Sequence, residues 1–170
     1  ELIRGIVAGR PEAELEEMAK FYDFLEIQPI HNNDFLKFDD RFPMQTDEDL
    51  RDINRKVDEL ARRLGKPLIA TCDVHFLNPE DAVYRAMIQK ANGYRDAERQ
   101  PPLYLRTTEE MLAEFDYLGA ERAYECVVTN PRRIAEETER FLPIPDALYA
   151  PMVPGADRAI QELSYARARQ

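Results

Sequence analysis

Asp73-Val74-His75 is the arrangement in this chain whose residue types and spacing suit chemistry. On a strand, residues i and i+2 project to the same side, so a carboxylate and an imidazole would face one point. One oxygen and one nitrogen donor so placed suit zinc, manganese or iron when further ligands join them. The plainer alternative is a capping Asp and a hydrogen-bonded His at a strand end, and the pair taken alone fits that reading better. His31, the other histidine, falls in a polar stretch and reads as a surface residue. Cys72 precedes Asp73 and should point the opposite way, into packing; with no basic residue near it in sequence, it is not expected to be a reactive thiolate. Cys126, among Tyr124, Val127 and Val128, reads as a core residue. Glu26 and Gln28 share a strand face and either line a polar barrel interior or lie exposed. Arg95, Arg99 and Arg106, with Tyr94 and Tyr104 interleaved, suit contact with a nucleic acid or a solvated loop, and the loop fits better. A phosphate-cradling glycine loop, a nucleophile elbow and a close pair of aspartates for two-metal transfer are all missing from the sequence. The chain by itself is therefore expected to catalyse nothing.

The elements that must position Asp73 and His75 follow from periodicity. Phe24-Leu25-Glu26-Ile27-Gln28 alternates with period two and is closed by Pro29, which predicts a short strand. Residues 30 to 45 have no clear period and predict a loop, with a small hairpin around 35–42. Thr46 with Asp49 forms a capping-box pattern, and Leu50, Ile53, Val57, Leu60 and Leu64 follow at steps of three and four until Gly65. Leu68 to Cys72 is an apolar run suited to a strand buried on both faces. Strand, helix and strand at this spacing predict a β-α-β crossover, with Asp73 and His75 at the C-terminal end of a parallel strand, where α/β folds place their sites. Ahead of it, Leu2, Ile3, Ile6 and Val7 predict a helix stopped at Gly9, and Pro11 opens another bearing Leu15, Met18, Ala19 and Tyr22.

Asn78-Pro79-Glu80-Asp81 starts a further helix. From about Gly93 strand signals vanish. Thr107 with Glu110 caps a helix ended by Gly119, another is expected near Glu121 to Val128, and a third begins at Asn130-Pro131. A stretch spaced by Pro143, Pro145, Pro151 and Pro154 leads to a last helix after Asp157.

Composition bounds these readings. The 170 residues are 44% hydrophobic and 33% charged, which supports a sizeable core and argues against disorder. No apolar run approaches the ~20 residues of a membrane helix, which argues against a membrane partner. The net charge of −10 is spread over both halves and argues against a general phosphate-backbone binder. Two distant cysteines without a metal-binding spacing indicate neither a zinc knuckle nor a disulfide framework, and a reducing cytoplasm fits them. The opening Glu1 and the helical character of both ends suggest a piece of a longer chain.

Three blocks carry a resemblance: YDFLEIQPIHNNDFL (22–36), GKPLIATCDVHFLNPEDAVYR (65–85) and QPPLYLRTTEEMLAEFDYLG (100–119), followed by IPDALYAPMVPGADRAIQELSYARA (144–168). In this order they resemble the PolC-type alpha subunit of bacterial DNA polymerase III, at the end of its polymerase and histidinol phosphatase (PHP) domain. The resemblance implies a helix-rich α/β fold: residues 1–92 as the last strands and helices of a PHP-type β/α barrel, about two parallel strands with their crossover helix, and residues 93–170 as a helical connector toward the polymerase palm. It implies a divalent metal, zinc or manganese, held by Asp73 and His75 as the last pair of ligands. Earlier ligands and an inserted exonuclease would lie upstream, and the magnesium-binding polymerase aspartates downstream. The family usually has Gly or Asn where this chain has Cys72, a change that removes no ligand. The partners implied are the rest of the polymerase chain and, through it, DNA and replisome subunits. Cut from its barrel, the isolated piece is expected to self-associate through exposed strand edges. Two other readings stand beside this one: a metal-dependent phosphoesterase of the same superfamily, and a helical adaptor without metal.

Overall fold

The computed structural model describes residues 1–39, 44–144, 147 and 151–169. These form two compact units, Glu1–Thr138 and Glu139–Gln170.

The first unit is built around α3 (Asp47–Leu64), the helix that local signals specify most fully. Thr46 accepts from the Asp49 amide and the Asp49 carboxylate accepts from the Thr46 amide, so two orphan donors of the first turn are satisfied. At the other end Gly65 takes the left-handed conformation, φ 63°, that stops the helix. The apolar stripe predicted for α3 buries Leu50, Ile53, Val57 and Leu60.

This helix is the crossover between β1 (Leu25–Ile27) and β2 (Leu68–Ala70), which pair in parallel with Leu25 opposite Leu68 and Ile27 opposite Ala70. Both strands are shorter than the residue pattern suggested. β2 is buried on both faces, as its unbroken apolar run required. On β1 only Leu25 and Ile27 face inward; Glu26 is exposed and accepts a hydrogen bond from the Thr71 hydroxyl. Within this chain Glu26 is exposed and Gln28 is part-buried.

Two short helices cover one side, α1 (Leu2–Val7) and α2 (Glu12–Lys20). They approach closely at Gly5, where a Cβ would meet Leu15 Cδ2 at 2.8 Å. Residues 30–38 differ from the predicted loop: Ile30–Phe38 is a 3-10 helix, broken at Asn33, with Ile30 and Leu36 packed against Leu50 and Ile53. No hairpin forms over residues 35–39, and residues 40–42 of the expected hairpin lie outside the described residues.

A 3-10 turn (Pro79–Asp81) with the Asn78–Asp81 capping box leads into α4 (Ala82–Ala91), which buries none of its residues. After α5 (Thr108–Glu114), the segments expected as two helices form one continuous run: α6 (Ala120–Tyr124), a π-helical turn (Glu125–Thr129) and α7 (Asn130–Glu137). Asn130-Pro131 reads as a helix start, but the wider turn absorbs the proline. Pro131 has no N–H for the Val127 carbonyl, and a π turn accommodates that missing i to i−4 bond without a break. The Asn130 side chain, freed from capping, donates to Leu68 O at 2.8 Å and ties this helix to β2.

One core thus spans both sides of position 93. Leu15, Leu25, Ile27, Val57, Leu60 and Leu68 share it with Met111, Phe115, Ala123 and Cys126. The Cys126 thiol is pushed up to about 11 by burial, as a packing residue would be.

In the second unit, α8 (Ala156–Ala168) follows Gly155 and carries an Arg158–Glu162 pair at 2.9 Å. Pro145 lies outside the described residues. Among the described residues no helix is long and apolar enough to cross a membrane.

Candidate metal centre

Thr71 N still donates to Ile27 O at 3.1 Å, and beyond it the backbone leaves the sheet, so Asp73 and His75 do not stand on a strand as their spacing suggested. A different device brings them together. Asp73 takes φ 52°, the one positive φ among the described non-glycine residues, a conformation that Asp tolerates better than most. The turn it makes places Asp73 Oδ1 3.8 Å from His75 Nδ1. His75 Nδ1 also lies 2.8 Å from the Asp73 carbonyl. A carbonyl only accepts, so Nδ1 carries the proton and the Nε2 lone pair is left for a ligand. A backbone carbonyl on the other ring nitrogen is a common arrangement for a metal-binding histidine. Both side chains are part-exposed, 45% for Asp73 and 40% for His75. The pair supplies one carboxylate and one imidazole, donor types that zinc or manganese accepts, and the carboxylate approaches the ring on its Nδ1 side.

The loop bearing the pair is held from two sides. The segment after Pro102 runs alongside it: His75 N donates to Leu103 O at 2.8 Å, Leu105 N to Phe76 O at 3.1 Å, and Phe76 bridges Tyr104 in parallel. Cys72 Sγ donates to Tyr104 O at 3.0 Å. From the other side, Asn32 Nδ2 donates to Cys72 O at 3.1 Å.

Cys72 does have a basic neighbour, because Arg106 Nη1 lies 3.5 Å from its sulfur, supplied from 34 residues away in sequence. Arg106 is not in a solvated loop: it is 6% exposed, stacks over Tyr104 at 4.4 Å from the ring centroid, and pairs with Glu114 at 3.2 Å. Arg95 and Arg99 are exposed, as a loop requires. Arg99 sits over the Phe38 ring at 5.3 Å.

His31, read as a surface residue, is half-buried and meets Asp34 and Asp47, their ligand atoms lying within 4.8 Å of one another. Local spacing could not show this, since Asp47 begins α3. The position an ion would take is held by Lys37, whose Nζ lies 2.7 Å from Asp34 Oδ1 and 2.7 Å from Asp47 Oδ1. The group is an ion-pair network fastening the 3-10 helix to the first turn of α3.

The Lys37 hydrogen bond, first among the causes, holds the Asp47 carboxyl below its ordinary range, and bonds to Asp34 and Asp47 raise the Lys37 ammonium. A depressed acid contributes stability above its unfolded pKa and loses it as pH falls through the folded value; a raised base contributes below its unfolded pKa and loses it as pH rises through the folded value. The network is thus intact between roughly pH 4 and pH 10. Asp47 is 43% exposed, so the effect is screened and modest. Thermal melts from about pH 7 down to about pH 3 should show a smaller loss of stability for Lys37→Met than for the unsubstituted chain. Parallel curves would show that the network does not contribute.

No family model matches the chain. Among known proteins, it is 46% identical over 170 residues to the PolC-type DNA polymerase III of Caldanaerobacter subterraneus subsp. tengcongensis, covering 100% of this chain and 12% of that protein. It is 45% identical over 164 residues to the PolC-type DNA polymerase III of Clostridium perfringens, covering 96% of this chain and 11% of that protein. With the Bacillus subtilis PolC-type enzyme it shares 40% identity over 173 residues, 99% of this chain and 12% of that protein. The chain thus spans about an eighth of the length of these relatives. Matched end to end at such identity, it belongs to the PolC-type DNA polymerase III family, as a segment of the family's much longer chain.

Proposed function

We propose that this chain acts within a bacterial replicative DNA polymerase, where it forms the closing part of a PHP-type barrel and the helical connection toward the palm. Residues 1–92 supply the last strands and helices of that barrel, and residues 93–170 the connector. DNA-directed DNA synthesis belongs to the whole protein, with magnesium at aspartates outside this chain. Its partners are the upstream half of the barrel, an inserted exonuclease, the palm and, through them, DNA and replisome subunits in the cytoplasm. The observation that carries this reading is the match to a PolC-type polymerase at 46% identity over 100% of the chain.

Within that assembly Asp73 and His75 are the last pair of ligands for a zinc or manganese ion. Two donors hold an ion poorly, because tight sites need a full ligand set and ordered outer partners. This chain alone is therefore inactive and binds metal weakly. Calorimetric titration of zinc and manganese into this chain and into the full-length polymerase, each with and without His75→Ala, tests the assignment. Binding in the polymerase alone, abolished by the substitution, is the expected result. Tight binding by the isolated chain would sink the split-site reading, and absence of binding in either would leave the barrel a scaffold.

A further inference from the structure

Asn32 is 7% exposed, and its Oδ1 is buried with no partner among the described residues. A residue kept only to fill space would do better as leucine, which matches its size and leaves no orphan acceptor. What the amide supplies is one donor, Nδ2, delivered to the Cys72 carbonyl at 3.1 Å across 40 residues of sequence. That carbonyl belongs to the peptide linking Cys72 to Asp73, whose rotation sets the left-handed φ of 52°. The same turn presents the Asp73 carbonyl to His75 Nδ1 at 2.8 Å.

We propose that Asn32 is a positioning residue for the Asp73–His75 pair: its buried amide pins the Cys72 carbonyl, and so fixes the turn that selects the His75 tautomer with Nε2 open to a metal. The proposal rests on the reading of Asp73 and His75 as ligands, but its geometric half stands without a metal. The 103–105 segment bonds to the backbone at His75 and beyond and to the Cys72 sulfur, and leaves the Cys72 carbonyl to Asn32. No short-range pattern reveals the role, because Asn32-Asn33 reads as a polar loop and its partner lies on another element.

The test uses the two-histidine composition of the chain, which makes nitrogen NMR of the imidazoles simple to assign. In the unsubstituted protein His75 should show a protonated Nδ1. Asn32→Leu, similar in size with no donor, and Asn32→Asp, the same shape with an acceptor in place of the donor, should both shift His75 toward the Nε2-protonated form that free imidazoles prefer. In the full-length polymerase the same substitutions should weaken zinc binding about 10- to 100-fold, as removal of an outer partner of a ligand does. A His75 tautomer unchanged in either folded variant overturns the proposal. Should neither variant fold, exchange of the Asn32 side-chain amide decides in the unsubstituted protein: protection beyond that of exposed amides supports the bond to Cys72 O, and solvent-like exchange overturns the proposal. A polymerase that binds no zinc, with the tautomer shift intact, would refute the metal reading and leave the positioning of His75 by Asn32 standing.

Discussion

Arg122→Ala is expected to lower the stability of the Glu1–Thr138 unit by about 3 kcal/mol. Arg122 on α6 and Asp58 on α3 are each 11% exposed, and Arg122 Nη2 lies 2.6 Å from Asp58 Oδ1. Removing the guanidinium strands a carboxylate in a place that water scarcely reaches, the costly half of breaking a buried pair. Two features place the loss at the lower end of the usual range. Arg62 Nε still donates to the other Asp58 oxygen at 2.9 Å, and Glu125, which also pairs with Arg122, can turn to solvent. A loss of this size lowers the melting temperature by roughly 6–12 °C for a domain of this length. Pairing Asp58→Leu with Arg122→Ala should recover much of it, since the stranded charge is then gone. A single-variant loss below about 1 kcal/mol would mean that water reaches Asp58 and the pair behaves as a surface one.

A loss of comparable size should follow from Phe115→Ala, about 3–5 kcal/mol. Phe115 is wholly buried at the end of α5, its ring 6.2 Å from that of Tyr117. It lies in one cluster with Leu25, Ile27 and Leu68, so truncation opens a cavity where the helical part meets the sheet. That cavity cannot close cheaply. Tyr117 is held from its far side by Asn54 Nδ2 at 2.8 Å, and burial pushes its hydroxyl up to about 12. The unfolding midpoint in urea should fall with an unchanged slope, because the whole unit loses its core together. A broadened transition would instead show that residues beyond 93 detach from the sheet as a separate step.

Where the physics is local, the residue pattern was sufficient. Thr46, Asp49, the three-and-four spacing and Gly65 place α3 almost to the residue, because cap, stripe and stop all act within a turn or two. The strands were legible as runs but not in their ends. β2 ends at Ala70, with one more amide, Thr71 N, on Ile27 O, and from Cys72 on the backbone is taken up by Asn32 and the 103–105 segment, partners no window around Leu68 contains. Residues 30–38 have no period to read, since a 3-10 helix pinned by Asn32–Cys72 and Lys37–Asp47 owes its shape to distant groups. Asn130-Pro131 does open α7, but the signature could not show that a π turn joins α7 to α6 without a break or that the Asn130 side chain is spent on Leu68 O. At the candidate site the pair itself could be named from its types and spacing. The reason for its proximity could not, because the strand alternation assumed for it is replaced by one left-handed residue.

That backbone at Asp73 governs how its own removal must be interpreted. Alanine in the same position would lose the carboxylate and also resist the left-handed region, so a damaged Asp73→Ala would confound donor chemistry with a distorted turn. Glycine errs the other way, since it adopts φ 52° freely and loosens the unfolded chain as well. Asparagine accepts the conformation and keeps the outline of the side chain, while it removes the negative charge and turns one ligand oxygen into an amide nitrogen. Of the three substitutions, Asp73→Asn alone reports on the carboxylate as a ligand.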